Sequence, residues 1–341
     1  MTIVPIVVAV IGGLAVAMGV TPLVIWFSRY HTLYDRQDDR KIHQQTISRL
    51  GGVGLVLGMV AGIVAGVTAG KLFIPTRDLV GVGLGLMPIL VVSLWDDLKG
   101  ISWWIRFVVQ AVSASVFAVL VNPLIRLNLP VVGSFTLGVW SYPIVTGWLL
   151  LTTNAMNFID GLDGLAAGIA AIAGSVLVAS AYLAGHYVTT VAVAALVGAC
   201  LGFLRYNFNP ARIFMGDTGS TFLGFVLGVA SLLGAGKNVA FVSLLVPILA
   251  LGVPIVDALG TVVRRSYRRV NIFEPDRQHV HHLLLFSLGL SYRSTVVFLY
   301  LVSALLGGLA LFLSGGPRFS AFFIAILATA CVLLLLRRKG G

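Results

Sequence analysis

Residues 165–204 read LAAGIAAIAGSVLVASAYLAGHYVTTVAVAALVGACLGFL, with no Asp, Glu, Lys or Arg anywhere in the stretch. Gly185 and His186 divide it into two apolar runs. Each run is close to the ~20 residues that a helix needs to cross the hydrocarbon of a bilayer. The runs are continuously apolar, whereas the strands of a membrane barrel alternate, so helices are expected. Working outward, the same pattern recurs along the chain. We read about eleven stretches of spanning length, near 3–27, 50–70, 79–95, 103–121, 136–154, 162–184, 187–204, 218–234, 239–262, 293–313 and 318–336. Composition agrees. The 341 residues are 58% hydrophobic and 10% charged, with a mean hydropathy of +1.01, against the roughly 25% charged of a soluble domain. The expected fold is all-α, a polytopic integral membrane protein formed as one transmembrane domain over 1–341. The first stretch has no basic residues before it and is too long for a signal peptide, so it is read as a span.

Charge suggests the orientation. Eleven spans put the termini on opposite sides. Of the 23 Lys and Arg residues, eighteen fall in one set of loops, among them Arg29, Lys41, Arg49, Lys99, Arg106, Arg212, Arg264, Arg277 and Arg337. The other set holds Lys71, Arg77, Arg126, Lys237 and Arg318. Basic loops stay inside, so the first set is expected in the cytoplasm, near 28–49, 96–103, 154–162, 205–218 and 263–292, with the N-terminus outside. The net charge of +11 is accounted for by basic loops beside anionic lipid, and no nucleic-acid partner is expected. Cys200 and Cys331 lie in apolar runs without metal or disulfide spacing, and read as small buried hydrophobes.

The acids carry more information. Of the twelve Asp and Glu residues, only Asp78 falls on the outer side. The basic-inside rule does not require that. Asp35, Asp38, Asp39, Glu274 and Asp276 have arginine neighbours and suit simple loop pairing. Asp96, Asp97, Asp160, Asp163 and Asp217 lie against apolar spans with few basic neighbours, and carboxylates so placed point to function.

Four segments concentrate the chemistry. Asp96 and Asp97 are adjacent at the end of an apolar run. Such a pair suits divalent metal binding or proton transfer. In Asn154-Ala-Met-Asn157-Phe-Ile-Asp160-Gly-Leu-Asp163-Gly164, amides and acids recur every third residue. On a helix these keep near one face. Their oxygens are hard ligands for Mg²⁺, or hydrogen-bonding partners for a base. Phe214-Met-Gly216-Asp217-Thr218-Gly-Ser220 opens the next span but one. It reads alone as a helix cap, or as an anion site at a helix N-terminus. The loop 264–293 holds Asp276-Arg277-Gln-His279-Val280-His281-His282, donors suited to phosphate oxygens. Zinc is a weaker reading, since no cysteine or fourth ligand accompanies the histidines. Together these parts suit a Mg²⁺-dependent phosphate site at a membrane surface. No P-loop or dinucleotide fingerprint is present.

The ordered set of the Asp96-Asp97 pair, Asn-x-x-Asn-x-x-Asp-Gly-x-Asp-Gly at 154–164, Gly216-Asp217-x-Gly-Ser and His279-x-His-His resembles the polyprenyl-phosphate N-acetylhexosamine-1-phosphate transferase family, of the glycosyltransferase 4 type. Lys41-Ile42-His43 and Ser48-Arg49-Leu50-Gly51-Gly52 add to the likeness, which runs from about residue 30 to 290. The resemblance implies ten or eleven spans and a site on the cytoplasmic face of a bacterial cytoplasmic membrane. It implies transfer of a sugar phosphate from a UDP-sugar to undecaprenyl phosphate, with Mg²⁺ (or Mn²⁺) and release of UMP. Val280, which interrupts the histidines, resembles the branch that uses UDP-N-acetylglucosamine to begin O-antigen, common antigen or teichoic acid linkage units. The alternative is the phospho-N-acetylmuramoyl-pentapeptide transferase branch, which typically has three consecutive histidines. Many members carry a third acid where this chain has Gly100.

By motif position, the resemblance implies Asp217 and Asn157 as Mg²⁺ ligands, and Asp163 and Phe214 as the residues that bond and stack on uracil. It places Asp160 between them and Asn154 in the same substrate-binding face. Lys41, Arg106, Arg277, His279, His281 and His282 would meet pyrophosphate or sugar. Asp96, with Asp97 beside it, would be the catalytic base that faces the lipid phosphate. The partners expected are the UDP-sugar, the lipid phosphate and the bilayer, with homodimerisation left open. A lipid-phosphate transporter is the rival from another class. Midplane polar residues and paired repeats would favour it, whereas the acids here gather at one face.

Overall fold

The computed structural model of the chain describes residues 2–31, 47–121, 126–129, 133–235, 238–268, 283–285 and 290–313. Lys41, Arg277, His279, His281 and His282, and the stretch 318–336, lie outside them. The described chain runs α1 (Val4–Tyr30), α2 (Gly51–Gly70), α3 (Thr76–Lys99), α4 (Trp103–Val121), β1 (Arg126–Leu129), β2 (Gly133–Thr136), α5 (Ser141–Ile159), α6 (Leu165–Leu183) and α7 (Tyr187–Asn207). It continues through α8 (Gly216–Ala235), β3 (Asn238–Ala240), α9 (Phe241–Ala250), α10 (Gly252–Arg268) and α11 (Tyr292–Leu313).

Among the described residues, eight helices are long and apolar enough to cross a membrane: α1 to α4, α6, α7, α8 and α11. The protein is a polytopic membrane protein of nearly all-helical build. Helices α6, α7 and α8 form the buried centre, while α1 and α3 turn wide apolar faces outward. Trp26, Met87 and Trp104 are all more than half exposed, as suits side chains that meet lipid rather than water. Helices α1, α2 and α7 pack closely, with Gly58 and Gly62 of α2 set against Gly13, Ala17, Ala195 and Ala199. Lipid tails supply no hydrophobic drive between helices, so small residues that let backbones approach take over that task.

Three features depart from the sequence reading. The stretch 239–262 is not one span but the short strand β3 followed by α9 and α10. Pro254 has no N–H to continue the ladder, and Gly252 precedes it, so the helix breaks at Leu251. Helix α5 starts at Ser141 and runs through Asn154 and Asn157 to Ile159, where an apolar-run reading stops at 154. Finally, a small three-stranded sheet of order β2-β1-β3 is present. β1 pairs antiparallel with β2, Arg126 opposite Thr136, and parallel with β3, Arg126 opposite Asn238. Backbone groups that leave a bundle must still find partners, and a strand pairing provides them.

Because consecutive helices run in alternating directions, the C-terminal ends of α3, α5 and α7 meet the N-terminal ends of α4, α6 and α8 at one end of the bundle. The sheet follows α4 and α8 at the other end. The motif acids Asp96, Asp97, Asp160, Asp163 and Asp217 therefore gather at the first end.

Candidate active site

The N-terminus of α8 organises the site. A helix start leaves N–H groups without partners, and here an acid from α3 supplies them. Asp97 Oδ1 accepts the Asp217 N–H at 2.7 Å. Its Oδ2 accepts the Thr218 N–H at 2.9 Å and the Thr218 hydroxyl at 2.6 Å. A carboxylate at a helix N-terminus is also favoured by the helix dipole. Both oxygens of Asp97 are thus engaged in holding α8.

The approach to α8 is held from the other side by the Ser48–Gly52 segment. Phe214 N–H donates to the Ser48 carbonyl at 2.8 Å, Gly51 N–H to the Phe214 carbonyl at 3.0 Å, and Gly52 N–H to the Met215 carbonyl at 2.9 Å. Gly216 has φ +71, a left-handed conformation that glycine adopts without strain. A Cβ there would also collide with the Arg49 carbonyl and stand 2.7 Å from the Asp97 carboxylate. The two motifs, far apart in sequence, form one backbone structure.

Asp217 faces away from its cap toward α4 and α5. One guanidinium nitrogen of Arg106, Nη1, donates to Asp217 Oδ2 and, at 2.6 Å, to Asp96 Oδ2. Asp217 Oδ1 accepts from Asn157 Nδ2 at 3.2 Å, and the same Nδ2 donates to the Ser220 hydroxyl at 2.9 Å. Asp96 Oδ1 accepts the Ile101 N–H where the chain turns into α4. One turn below Asn157, Asn154 Nδ2 donates to Gln110 Oε1 and to the Leu150 carbonyl, both at 2.8 Å.

Asn157, Asp160, Asp163, Phe214 and Asp217 line a cleft of ≈ 270 Å³. Its volume suits a small ligand. Phe214, Leu162 and Met215 give it an apolar side and the acids a polar one. Asp160 caps the end of α5 with φ -76 and ψ 47. Among the described residues none gives its carboxylate a hydrogen bond. Burial, reinforced by the Asp217 and Asp97 carboxylates and opposed by Arg49, pushes its carboxyl well above the usual carboxylate range. Asp163, only 5% exposed, serves the cleft wall. Its Oδ2 accepts from Asn209 Nδ2 and from the Ala211 N–H, both at 3.1 Å. Its own N–H donates to the Tyr292 hydroxyl of α11.

The donor set fits a hard divalent cation that is shared with a ligand. Among the described residues, no three histidine, cysteine or carboxylate side chains close around one point. Asn157, whose Nδ2 is turned to Asp217 and Ser220, keeps its Oδ1 as an acceptor. With Asp217 this makes two protein oxygens, and Mg²⁺ commonly takes one or two protein ligands with phosphate oxygens completing the shell.

Of the residues singled out from sequence, the structure brings Asn157, Asp160, Asp163, Phe214 and Asp217 into the cleft. Asp96, Asp97, Asn154 and Arg106 support it by the bonds above. Sequence reasoning passed over Gln110, Asn207 and Tyr292, and read Ser220 only as part of a helix cap. Gln110 carried a signal, as a lone amide within the apolar run of α4, 7% exposed. Asn207, whose Oδ1 accepts the Gly164 N–H at 3.0 Å and whose Nδ2 donates to the Ile213 carbonyl at 2.9 Å, carried none.

Comparison with known proteins identifies the family. Residues 79–235, from α3 to the end of α8, match the model of glycosyl transferase family 4. The chain is 35% identical over 320 residues to a Bacillus subtilis protein described as "Probable undecaprenyl-phosphate N-acetylglucosaminyl 1-phosphate transferase", covering 94% of this chain and 88% of that one. It is 34% identical over 332 residues to the decaprenyl-phosphate N-acetylglucosaminephosphotransferase of Mycobacterium tuberculosis, covering 88% and 81%. The phospho-N-acetylmuramoyl-pentapeptide-transferase of Moorella thermoacetica is 38% identical, but over 194 residues, covering 54% and 56%. With its motif helices, its paired loops and relatives matched along nearly the whole length, this chain belongs to glycosyl transferase family 4.

Proposed function

We propose that this protein transfers N-acetylglucosamine 1-phosphate from UDP-N-acetylglucosamine to undecaprenyl phosphate, releasing UMP. The site would face the cytoplasm at a bacterial cytoplasmic membrane, opening synthesis of a surface glycopolymer. The observation that carries this reading is the cleft itself. An aromatic ring, an amide and three carboxylates converge at one end of a membrane bundle, where a water-soluble nucleotide and a lipid phosphate can meet.

In this reading Phe214 stacks on uracil and Asp163 bonds its edge, while the bonds to Asn209 and Ala211 keep Asp163 in place. Asn157 and Asp217 would hold Mg²⁺, which supplies charge compensation for the diphosphate. An oxygen of the lipid phosphate attacks the β-phosphorus of the nucleotide sugar. The bond from that phosphorus to the bridging oxygen breaks, and UMP carries the electron pair away. A phosphate monoester has its second pKa near ~6 and is largely dianionic at neutral pH, so no base is required. Asp96, whose oxygens accept from Ile101 and Arg106, then acts by orienting Arg106 toward phosphate. Lys41, Arg277, His279, His281 and His282 lie outside the described residues and are proposed to hold pyrophosphate and sugar.

The N-acetylglucosamine donor is favoured over the muramoyl-pentapeptide donor by two observations. Val280 separates the histidines, and the relatives named for N-acetylglucosamine match far more of the chain. The basic loops support the cytoplasmic orientation. The test is mass spectrometry of the lipid product after incubating purified protein with UDP-N-acetylglucosamine, undecaprenyl phosphate and Mg²⁺. An N-acetylglucosaminyl-diphosphoundecaprenol is expected, and unaltered undecaprenyl phosphate would contradict the proposal.

A further inference from the structure

We infer that Arg106 is a built-in counter-cation that holds Asp217 in the metal-free protein and must yield that carboxylate when a divalent ion enters. The inference rests on the proposed role of Asp217 as a metal ligand.

The geometry leaves little room for both cations. Asp217 has two carboxylate oxygens. Oδ1 faces the Asn157 amide, and Oδ2 is taken by Arg106 Nη1. The same nitrogen reaches Asp96 Oδ2 at 2.6 Å, so one positive centre joins an acid of α3 to an acid of α8. This is what a bridging metal ion would do. A divalent ion on Asp217 would stand a few ångströms from the guanidinium. Like charges at that distance, partly shielded from water, repel, and less strongly where solvent enters. Arginine cannot relieve this by losing its proton. It can relieve it by moving, since its side chain is 30% exposed.

Asp96 gives that movement a pivot. Its second oxygen is fixed by the Ile101 N–H, so Asp96 stays in place while Arg106 turns on it. The guanidinium released from Asp217 still has donors to spare, and a fork of donors suits phosphate oxygens. Arg106 would thus be exchanged from a carboxylate to a phosphate as metal and nucleotide load. The exchange keeps the acids compensated in the metal-free protein and makes a cation available only when the ligand brings negative charge.

The test is Mn²⁺ binding, read by electron paramagnetic resonance on the purified full-length protein in detergent without nucleotide. The wild type is compared with Arg106→Gln, Arg106→Met, Arg106→Lys and Asp217→Ala. Removing the competing charge should tighten Mn²⁺ binding by about tenfold in both neutral variants, while Arg106→Lys stays near the wild type. The neutral variants should also melt at lower temperature without metal, and saturating Mn²⁺ should close that gap. Unchanged or weaker Mn²⁺ binding in the neutral variants, with Asp217→Ala abolishing it, would overturn the competition and leave the metal site standing. Mn²⁺ binding that survives Asp217→Ala would overturn the metal assignment and this inference together.

Discussion

Asp97 holds Asp217 by its backbone: the carboxylate at the end of α3 accepts the Asp217 N–H at 2.7 Å and, through its other oxygen, the backbone and hydroxyl of Thr218. The acid that looks like half of a catalytic pair is therefore a cap for α8, and its neighbour Asp96 alone reaches Arg106. Asp97→Ala removes the acceptor for three donors. Hydrogen bonds to a charged group contribute about 1.5–3 kcal/mol each, net of exchange with water. A clear fall in melting temperature should accompany the loss of turnover. Lost turnover with unchanged melting would instead make Asp97 a participant in the chemistry.

Gln110 should matter although it does not line the cleft and is bonded to Asn154, one turn from the cleft residue Asn157. Its Oε1 accepts from Asn154 Nδ2 at 2.8 Å and fixes which end of that amide faces the site. Gln110→Leu removes this bond, worth about 1 kcal/mol, and should lower kcat/KM roughly five- to tenfold. Gln110→Glu retains the acceptor oxygen and should recover most of the loss. Equal losses in both variants would deny the positioning role.

The Asp160 carboxyl, pushed well up by burial among other acids, makes a pH-dependent contribution of known sign. In the folded protein it holds its proton to higher pH than in the unfolded chain, so the unfolded state binds fewer protons. Stability therefore declines as pH rises from the ordinary carboxylate range through the raised value. Asp160→Asn removes this part of the decline. Metal-free variant should melt above metal-free wild type at pH 7, with the gap closing toward pH 4. A variant less stable than wild type at pH 7 would contradict the sign.

Orientation is tested by labelling. Single cysteines at Gln44 and Gln278, in a background without Cys200 and Cys331, should be shielded from an impermeant thiol reagent in intact cells. One at Asn128, on β1 at the opposite end of the bundle, should label. Labelling at Gln278 from outside would place the nucleotide site on the wrong side of the membrane.

The fold was legible wherever composition alone decides it. The charge-free stretch 165–204 becomes α6 and most of α7, because a bilayer leaves such a segment no alternative to a helix. It failed where partners decide. Asn154 and Asn157 end an apolar run, yet α5 continues through them because Gln110, Ser220 and Asp217 satisfy their amides. The break at Leu251 was written in Gly252 and Pro254, but prolines are tolerated in membrane helices often enough to hide it. In the site, the residue types were readable and their pairings were not. Adjacent acids at 96 and 97 look equivalent in sequence. On a helix they point about 100° apart, so one meets α8 and the other α4.

The central claim is the transferase reaction, and the most direct measurement is UMP release by purified protein given undecaprenyl phosphate and Mg²⁺. UDP-N-acetylglucosamine and UDP-N-acetylmuramoyl-pentapeptide are supplied separately, with Asp217→Ala as the control. The account predicts release from UDP-N-acetylglucosamine, little or none from the pentapeptide nucleotide, and none from either in Asp217→Ala. Preference for the pentapeptide nucleotide would contradict the donor assignment, and UMP release by Asp217→Ala at the wild-type rate would contradict the site itself.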